Sequence, residues 1–243
     1  MYNEFSYIYD KLSFDIDYKK YSENIIKIIE KEKINTENAL ELAAGTGRLS
    51  EYLIDKFKNY DALDYSSDML SVFQKKNYPN VRFFNMDMVE FLNKNSYDVI
   101  IILLDSINYI TDKDKLIKLF ENCYCNLKEE GILIFDINSP EKIINVFGNE
   151  SYVYEYEDIF YTWENEFDGK FVDMYLNFFV KENDRYKRIE EYQKERLYYP
   201  NEIEEILENI GYINIKNFDE DTMKETNSNT MRILFKAKKE KED

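Results

Sequence analysis

Histidine is missing from this chain, and cysteine, proline and glycine are scarce. The 243 residues include no His, two Cys, three Pro and six Gly. Without histidine there can be no histidine-dependent triad, metal ligand or proton shuttle, and we expect no metal site. Cys123 and Cys125 lie two positions apart in a predicted helix, where their side chains diverge. They are therefore expected to be reduced thiols of a cytoplasmic protein.

Long apolar runs and clustered basic charge are also lacking. The longest aliphatic run, Val99 to Leu104, is far shorter than the roughly 20 residues of a membrane helix. Lys and Arg number 32 against 49 Asp and Glu, which gives a net charge of −17. Because the basic residues are scattered, the charge argues against membranes and nucleic acids as partners. Aromatic residues are abundant instead, with 22 Tyr and 17 Phe, and they predict a compact core.

The first two thirds of the chain repeat a strand-then-helix order. Apolar residues at helical spacing predict one or two helices within residues 1–34, with Tyr21, Ile25, Ile28 and Ile29 as one stripe. Strands are then predicted at 39–43, 60–64, 81–84, 97–104 and 131–137, and helices at 47–57, 67–76 and 112–126. The near-continuous apolar strands favour a parallel sheet covered on both faces. The pattern predicts an α/β, doubly wound, Rossmann-like fold.

Residues 151–199 consist of long stretches rich in β-forming residues, which predict an inserted antiparallel sheet. We expect three strands, at 152–167, 170–180 and 186–198, with Asp168-Gly169 as a hairpin turn. A helix at 201–210 and strands at 212–218 and 230–237 would complete a mostly parallel seven-stranded sheet. The organisation expected is one domain over residues 1–243, with 1–34 as an N-terminal helical lid.

A small-residue loop follows the first predicted strand. That strand ends near Glu41, and the segment Ala43-Ala44-Gly45-Thr46-Gly47 follows. Glycine permits positive φ and close approach of a ligand to the backbone. Asp64 and Asp87 end the next two strands. Parallel sheets bind ligands at the carboxyl ends of their strands, so the three acids are expected around one ligand.

Two cofactor classes compete for this loop. A dinucleotide needs Gly-x-Gly-x-x-Gly, whereas here the third glycine is absent and Glu41 would repel a pyrophosphate. S-adenosylmethionine fits better. Its ammonium suits Glu41, its carboxylate suits the N-terminus of the predicted helix 47–57, and its ribose hydroxyls and adenine amino group suit Asp64 and Asp87.

In its motifs the chain resembles the class I S-adenosylmethionine-dependent methyltransferases. The loop 41–47, Asp64, Asp87 and the segment 104–109 stand in the order of that superfamily. The opening residues 5–10 and the inserted sheet resemble a group of small bacterial methyltransferases, similar to nucleotide-sugar N,N-dimethyltransferases and uncharacterised homologues. The resemblance implies this set of cofactor-binding residues: Tyr21, Glu41, Ala43, Gly45, Thr46, Gly47, Asp64, Tyr65, Met69, Met86, Asp87, Met88 and Leu104.

Two departures from the family pattern bear on the substrate. Ala43 stands where the loop often has glycine, a change that keeps the loop narrow. Asp105-Ser106-Ile107-Asn108 replaces the Asn-Pro-Pro-Tyr of base and glutamine-amide methyltransferases, which argues against those acceptors. Asn108 and Tyr109 are expected to be structural.

Methyl transfer to an amine needs the amine in its unprotonated form. Asp105 or a tyrosine hydroxyl, such as that of Tyr9, is the predicted proton acceptor, and Tyr9, Tyr18 and Tyr21 are candidate lid aromatics. We expect a small-molecule amine acceptor and a monomer or homodimer. The alternatives are O-methylation of a small acid or hydroxyl, RNA methylation, cofactor binding without turnover, and an NAD-dependent oxidoreductase.

Overall fold

The computed structural model of the protein describes residues 8–13 and 16–241. Its α-helices are α1 (Tyr18–Lys31), α2 (Ser67–Gln74), α3 (Lys113–Asn126) and α4 (Pro200–Ile210). Its strands are β1 (Asn38–Leu42), β2 (Asn59–Asp64), β3 (Val81–Asn85), β4 (Tyr97–Ile102), β5 (Leu127–Asn138), β6 (Ser151–Tyr156), β7 (Ile159–Phe167), β8 (Phe171–Glu182), β9 (Arg185–Arg196), β10 (Tyr212–Asp219) and β11 (Arg232–Lys239). Residues 8–12 and the short segments Ser50–Tyr52, Ile54–Lys56, Met88–Glu90 and Lys142–Phe147 are also helical.

The main sheet has seven strands in the order β10-β11-β5-β4-β1-β2-β3. Strands β1 to β5 are parallel, and β10 and β11 are antiparallel to their neighbours, so the predicted mostly parallel sheet is confirmed. Ile100 and Ile102 of β4 pack in one core cluster and Val99 and Ile101 in another, because both faces of the sheet are covered. Strand order reverses between β1 and β4, which opens a crevice at their carboxyl ends.

The inserted sheet is antiparallel, but it has four strands, β6-β7-β8-β9, and the prediction of three was wrong. The stretch 152–167 is a hairpin, reversing at Glu157, whose φ is 51°. No glycine or asparagine marks this turn. The inner face of the sheet packs on Ile143 and Phe147, and its far end packs on Ile8. The sheet therefore bridges the N-terminal segment and the end of β5.

The helix predicted at 47–57 is also corrected. Two short turns replace it, with the amides of Tyr52, Leu53, Lys56 and Phe57 each donating to the carbonyl three residues before. Such turns have poorer hydrogen-bond geometry than an α-helix and stay short. The loop after β1 therefore does not lead into an α-helix, and the expected helix N-terminus for a carboxylate is not formed there.

The N-terminal stripe of Tyr21, Ile25, Ile28 and Ile29 is buried in α1, as predicted. Phe5, Ser6 and Tyr7 of the opening motif, and the remainder of residues 1–7 and 14–15 of the predicted lid, lie outside the described residues. Across the part of the chain that the structure describes, no helix combines the length and apolarity needed to cross a bilayer.

Candidate functional site

A cavity of about 670 Å³ opens at the carboxyl ends of β1 and β4. The loop after β1 forms one wall, and the inner face of the inserted sheet, with Trp163 and Phe178, forms the opposite wall. A second cavity, of about 380 Å³, reaches Asp87 and shares Ala43, Asp64 and Tyr109 with the first. The two cavities therefore adjoin along the carboxyl edge of the sheet.

Asp64 ties the loop after β1 to the end of β2. Its Oδ2 accepts from the Gly45 amide at 2.7 Å and its Oδ1 from the Ser66 amide at 2.8 Å. Ala43 and Gly45 both have positive φ, 58° and 56°, which exposes the loop backbone to the cavity. Burial raises the pKa of Asp64, and the two amides oppose that rise. Each oxygen keeps a second lone pair for a ligand hydroxyl.

Glu41 is a buried carboxylate on the wall of the larger cavity. Its Oε2 accepts hydrogen bonds from the hydroxyl of Ser50 and, at 2.8 Å, from that of Tyr60. Burial raises the pKa of Glu41 to about 7, and the two hydroxyls oppose the rise. A ligand cation beside Glu41 would offset the cost of its burial.

The remaining predicted cofactor residues divide into two groups. Those on a cavity wall are Ala43, Gly45, Thr46, Met69 and Leu104 in the larger cavity and Tyr65, Asp87 and Met88 in the smaller one. Those not brought to either wall are Tyr21, Gly47 and Met86.

Packing accounts for the positions of these last three residues. Tyr21 is only 3% exposed and lies in the core beneath α1, and Met86 packs against the opposite core cluster. A Cβ on Gly47 would lie 2.4 Å from the ring of Phe73. Packing therefore requires glycine at position 47, because α2 approaches the loop too closely to leave room for a side chain.

Asp105 and Tyr9, the predicted catalytic residues, both line the larger cavity. Arg232 on β11 pairs with Asp105 at 2.6 Å and with the buried Asp136 at 3.1 Å. Burial raises the pKa of Tyr9 above its ordinary value, so its hydroxyl stays protonated at neutral pH. Asp105 is thus already paired with a cation, and Tyr9 keeps its proton at neutral pH, which argues against the predicted role of either residue as the proton acceptor.

The sequence reasoning missed Glu195 and Lys142, which also line this end of the cavity. The Oε2 atom of Glu195, on β9, accepts from the Asn138 amide group at 2.8 Å, and burial raises the pKa of Glu195 to about 8. The alternation of side chains along a strand predicts that Gln193 and Glu195 lie on one face of β9. The sequence does not show that this face covers the ligand site.

Comparisons with known proteins identify the family of the chain. A model of the methyltransferase domain matches residues 39–131. YqeM of Bacillus subtilis (strain 168), named as a methyltransferase, is 32% identical over 99% of this chain and 98% of its own. An S-adenosylmethionine-dependent methyltransferase from Clostridium acetobutylicum ATCC 824 has a crystal structure that covers 99% of both chains at 39% identity, with a TM-score of 0.91. The chain belongs to the S-adenosylmethionine-dependent methyltransferases.

This methyltransferase also shares its fold with a more distant structure. CalS10 of Micromonospora echinaspora, an amino pentose methyltransferase with S-adenosylmethionine bound, aligns over 96% of each chain with a TM-score of 0.78 at 16% identity. The cofactor is S-adenosylmethionine, and the alternative of an NAD-dependent oxidoreductase is set aside. The residues present fit this cofactor, because Glu41 offers a partner for its ammonium and Asp64 retains acceptor capacity where the two cavities adjoin.

Proposed function

We propose that the protein transfers the methyl group of S-adenosylmethionine to a small-molecule amine. The observation that carries this proposal is the excess of acid at the acceptor end of the cavity. Among the described residues, the carboxyl groups of Asp105, Asp136 and Glu195 face two cations, Arg232 and Lys142. Burial penalises the ionised form of Glu195, and a cationic ligand beside it would offset that cost, so the site favours a cationic ligand. The description of CalS10 as an amino pentose methyltransferase is consistent with an amine acceptor.

The walls of the acceptor end support a small molecule with an apolar body. Tyr161, Trp163 and Phe178 line the cavity from the inserted sheet. The indole N–H of Trp163 is buried without a hydrogen-bond acceptor among the described residues. An acceptor molecule with an oxygen near its ring or chain would satisfy this donor. The net charge of −17 disfavours an RNA acceptor.

The cofactor roles that we propose follow the cavity walls. Glu41 binds the ammonium, Asp64 accepts from the ribose hydroxyls, and Asp87 accepts from the adenine amino group. Arg48, a cation on the wall of the larger cavity, takes the carboxylate in place of the helix N-terminus that is not formed. Apolar and aromatic contact comes from Tyr65, Met69, Met88 and Leu104.

Bound S-adenosylmethionine supplies a methyl group on positively charged sulfur. The protein has to align the acceptor with that group and exclude water. Asp10 accepts from the Thr46 hydroxyl at 2.5 Å through its carboxylate and from Arg48 at 2.6 Å through its carbonyl. The segment 8–13 is thereby fastened to the loop after β1, with Tyr9 against the cavity. We propose that it acts with α1 as a lid.

Two measurements test the proposed function. Calorimetric titration should show saturable binding of S-adenosylhomocysteine and none of NAD. Methyl transfer should then be measured with benzylamine, benzyl alcohol and phenylacetate, which share a ring and differ in the acceptor atom. Transfer to benzylamine is the expected result, whereas transfer only to the alcohol or the acid would replace the amine by an oxygen acceptor.

A further inference from the structure

We propose that Glu195 is the catalytic residue that takes a proton from the acceptor's ammonium group. This inference rests on the amine function proposed above. It replaces Asp105 in that role, because Asp105 is held in an ion pair by Arg232 at 2.6 Å. A carboxylate held in this way would have to leave its guanidinium partner in order to take a proton.

A buried hydrogen-bond network fixes the position of Glu195. Asn108 accepts from the Arg196 amide at 2.8 Å and donates to the Arg196 carbonyl at 3.0 Å, which fastens the end of β9 to the loop after β4. The Asn108 side-chain oxygen accepts from the Asn138 amide at 2.9 Å. The side chain of Asn138 in turn donates to Glu195 at 2.8 Å. Glu195 is thus positioned by a hydrogen-bond network through Asn108 and Asn138 that joins β9 of the inserted sheet to β5 of the main sheet.

The charged and titratable groups that face Glu195 come from three different parts of the fold. Lys142 lies after β5, Arg232 on β11, and Asp105 and Tyr109 after β4. The two cations are bound elsewhere, since Lys142 donates to the Asn138 oxygen at 2.8 Å and Arg232 pairs with Asp105. Burial and the charge of Asp105 raise the pKa of Glu195 to about 8, and Lys142 and Arg232 oppose the rise. Such a pKa suits proton exchange with an amine near neutral pH.

The step balances without another reactant. An alkylammonium gives one proton to the Glu195 carboxylate and keeps two on nitrogen. The freed lone pair forms the N–C bond to the methyl group, and the electrons of the broken C–S bond remain on sulfur. The product is a methylammonium, and Glu195 returns its proton to water. An arylamine is uncharged at neutral pH and does not need this first proton transfer.

The experiment compares Glu195→Gln with wild type and with Glu191→Gln. Glu191 has the same parity on β9, is half-buried and is absent from the cavity wall, so it is a matched control. With benzylamine, Glu195→Gln should lower kcat/KM by about 100-fold or more, and the rise of kcat/KM with pH should change shape. With aniline the rate should change by less than about threefold. Glu191→Gln should match wild type with both amines.

Equal benzylamine rates and pH profiles in Glu195→Gln and wild type would overturn the role of Glu195 while leaving amine methylation intact. Wild-type affinity of Glu195→Gln for S-adenosylhomocysteine checks that the variant is folded. Carbon-13 NMR provides a test that needs no acceptor. The carboxyl resonance that disappears in Glu195→Gln should titrate near pH 8, and titration near the ordinary 4.5 refutes the inference even if the acceptor is not an amine.

Discussion

Gly45 and Gly47 stand two residues apart in one loop, yet alanine at the two positions should have different consequences. Both have positive φ, 56° and 75°. A Cβ on Gly45 would meet nothing within 4 Å, whereas one on Gly47 would lie 2.4 Å from the ring of Phe73. That ring cannot move aside cheaply, because Phe73 is fully buried and packs edge-on against Phe83 at 5.0 Å.

The expected loss of unfolding free energy has two contributions, the backbone strain of alanine at positive φ and the steric overlap with Phe73. Positive φ costs an alanine about 1–2 kcal/mol at either position. Forcing a methyl group into a packed core adds about 1–3 kcal/mol at Gly47 alone. Gly45→Ala should therefore lower the free energy of unfolding by about 1–2 kcal/mol and Gly47→Ala by about 2–5 kcal/mol.

Urea unfolding followed by the fluorescence of Trp163, the one tryptophan of the chain, measures both values. In a Phe73→Leu background, the added cost of Gly47→Ala should fall toward about 1–2 kcal/mol, because the smaller side chain leaves room. Titration with S-adenosylhomocysteine should rank the variants in the opposite order, since Gly45 lines the cavity and Gly47 does not. Equal destabilisation by the two substitutions, with no effect of Phe73→Leu, would refute the packing argument.

Three further predictions concern the acids of the site. Asp64→Ala should weaken S-adenosylhomocysteine binding by about 1.5–3 kcal/mol in calorimetry, with Asp68→Ala as the control, and unchanged affinity would remove Asp64 from the ribose site. Burial raises the pKa of Glu41 from 4.5 to about 7, so the folded state binds an extra proton between these values. Stability should therefore fall as pH rises from 4.5 to about 7, and Glu41→Gln should lack this decline in urea unfolding; parallel curves would contradict it. Asp105→Asn should slow methyl transfer but keep wild-type cofactor affinity, and a loss of affinity would place Asp105 at the cofactor.

A pattern of neighbouring residues in the sequence was enough to predict some parts of the fold. The apolar run of β4 and the acid at the end of β2 identify a buried parallel strand and a ligand edge from neighbours in sequence alone. Two segments differ from their sequence pattern. Residues 50–56 have helical amphipathicity, but Ser50 bonds to Glu41 and the backbone forms three-residue turns. The chain reverses at Glu157 and Asp158 without the glycine or asparagine that usually marks a tight hairpin turn.

The candidate site also has one half that could be predicted from local sequence and one half that could not. The acids of the cofactor half follow strand ends in the sequence, so their convergence could be predicted from the rules of parallel sheets. The acceptor half depends on contacts between distant segments, and its residue types had no local signal. The loop pattern predicts Gly47 as a ligand contact, whereas the close approach of Phe73 to Gly47 depends on tertiary packing that the loop sequence does not contain.

The order of strands and helices, the glycine loop and the acids Glu41, Asp64 and Asp87 were determined by the sequence, and with them the fold class and the cofactor. Only the tertiary structure decided which acid at the acceptor end is already paired. Arg232 reaches Asp105 because β11 lies beside β5, and Glu195 reaches Asn138 because Asn108 fastens β9 to the main sheet. Charge pairing and desolvation depend on distances in space, which a periodic pattern along the chain does not contain.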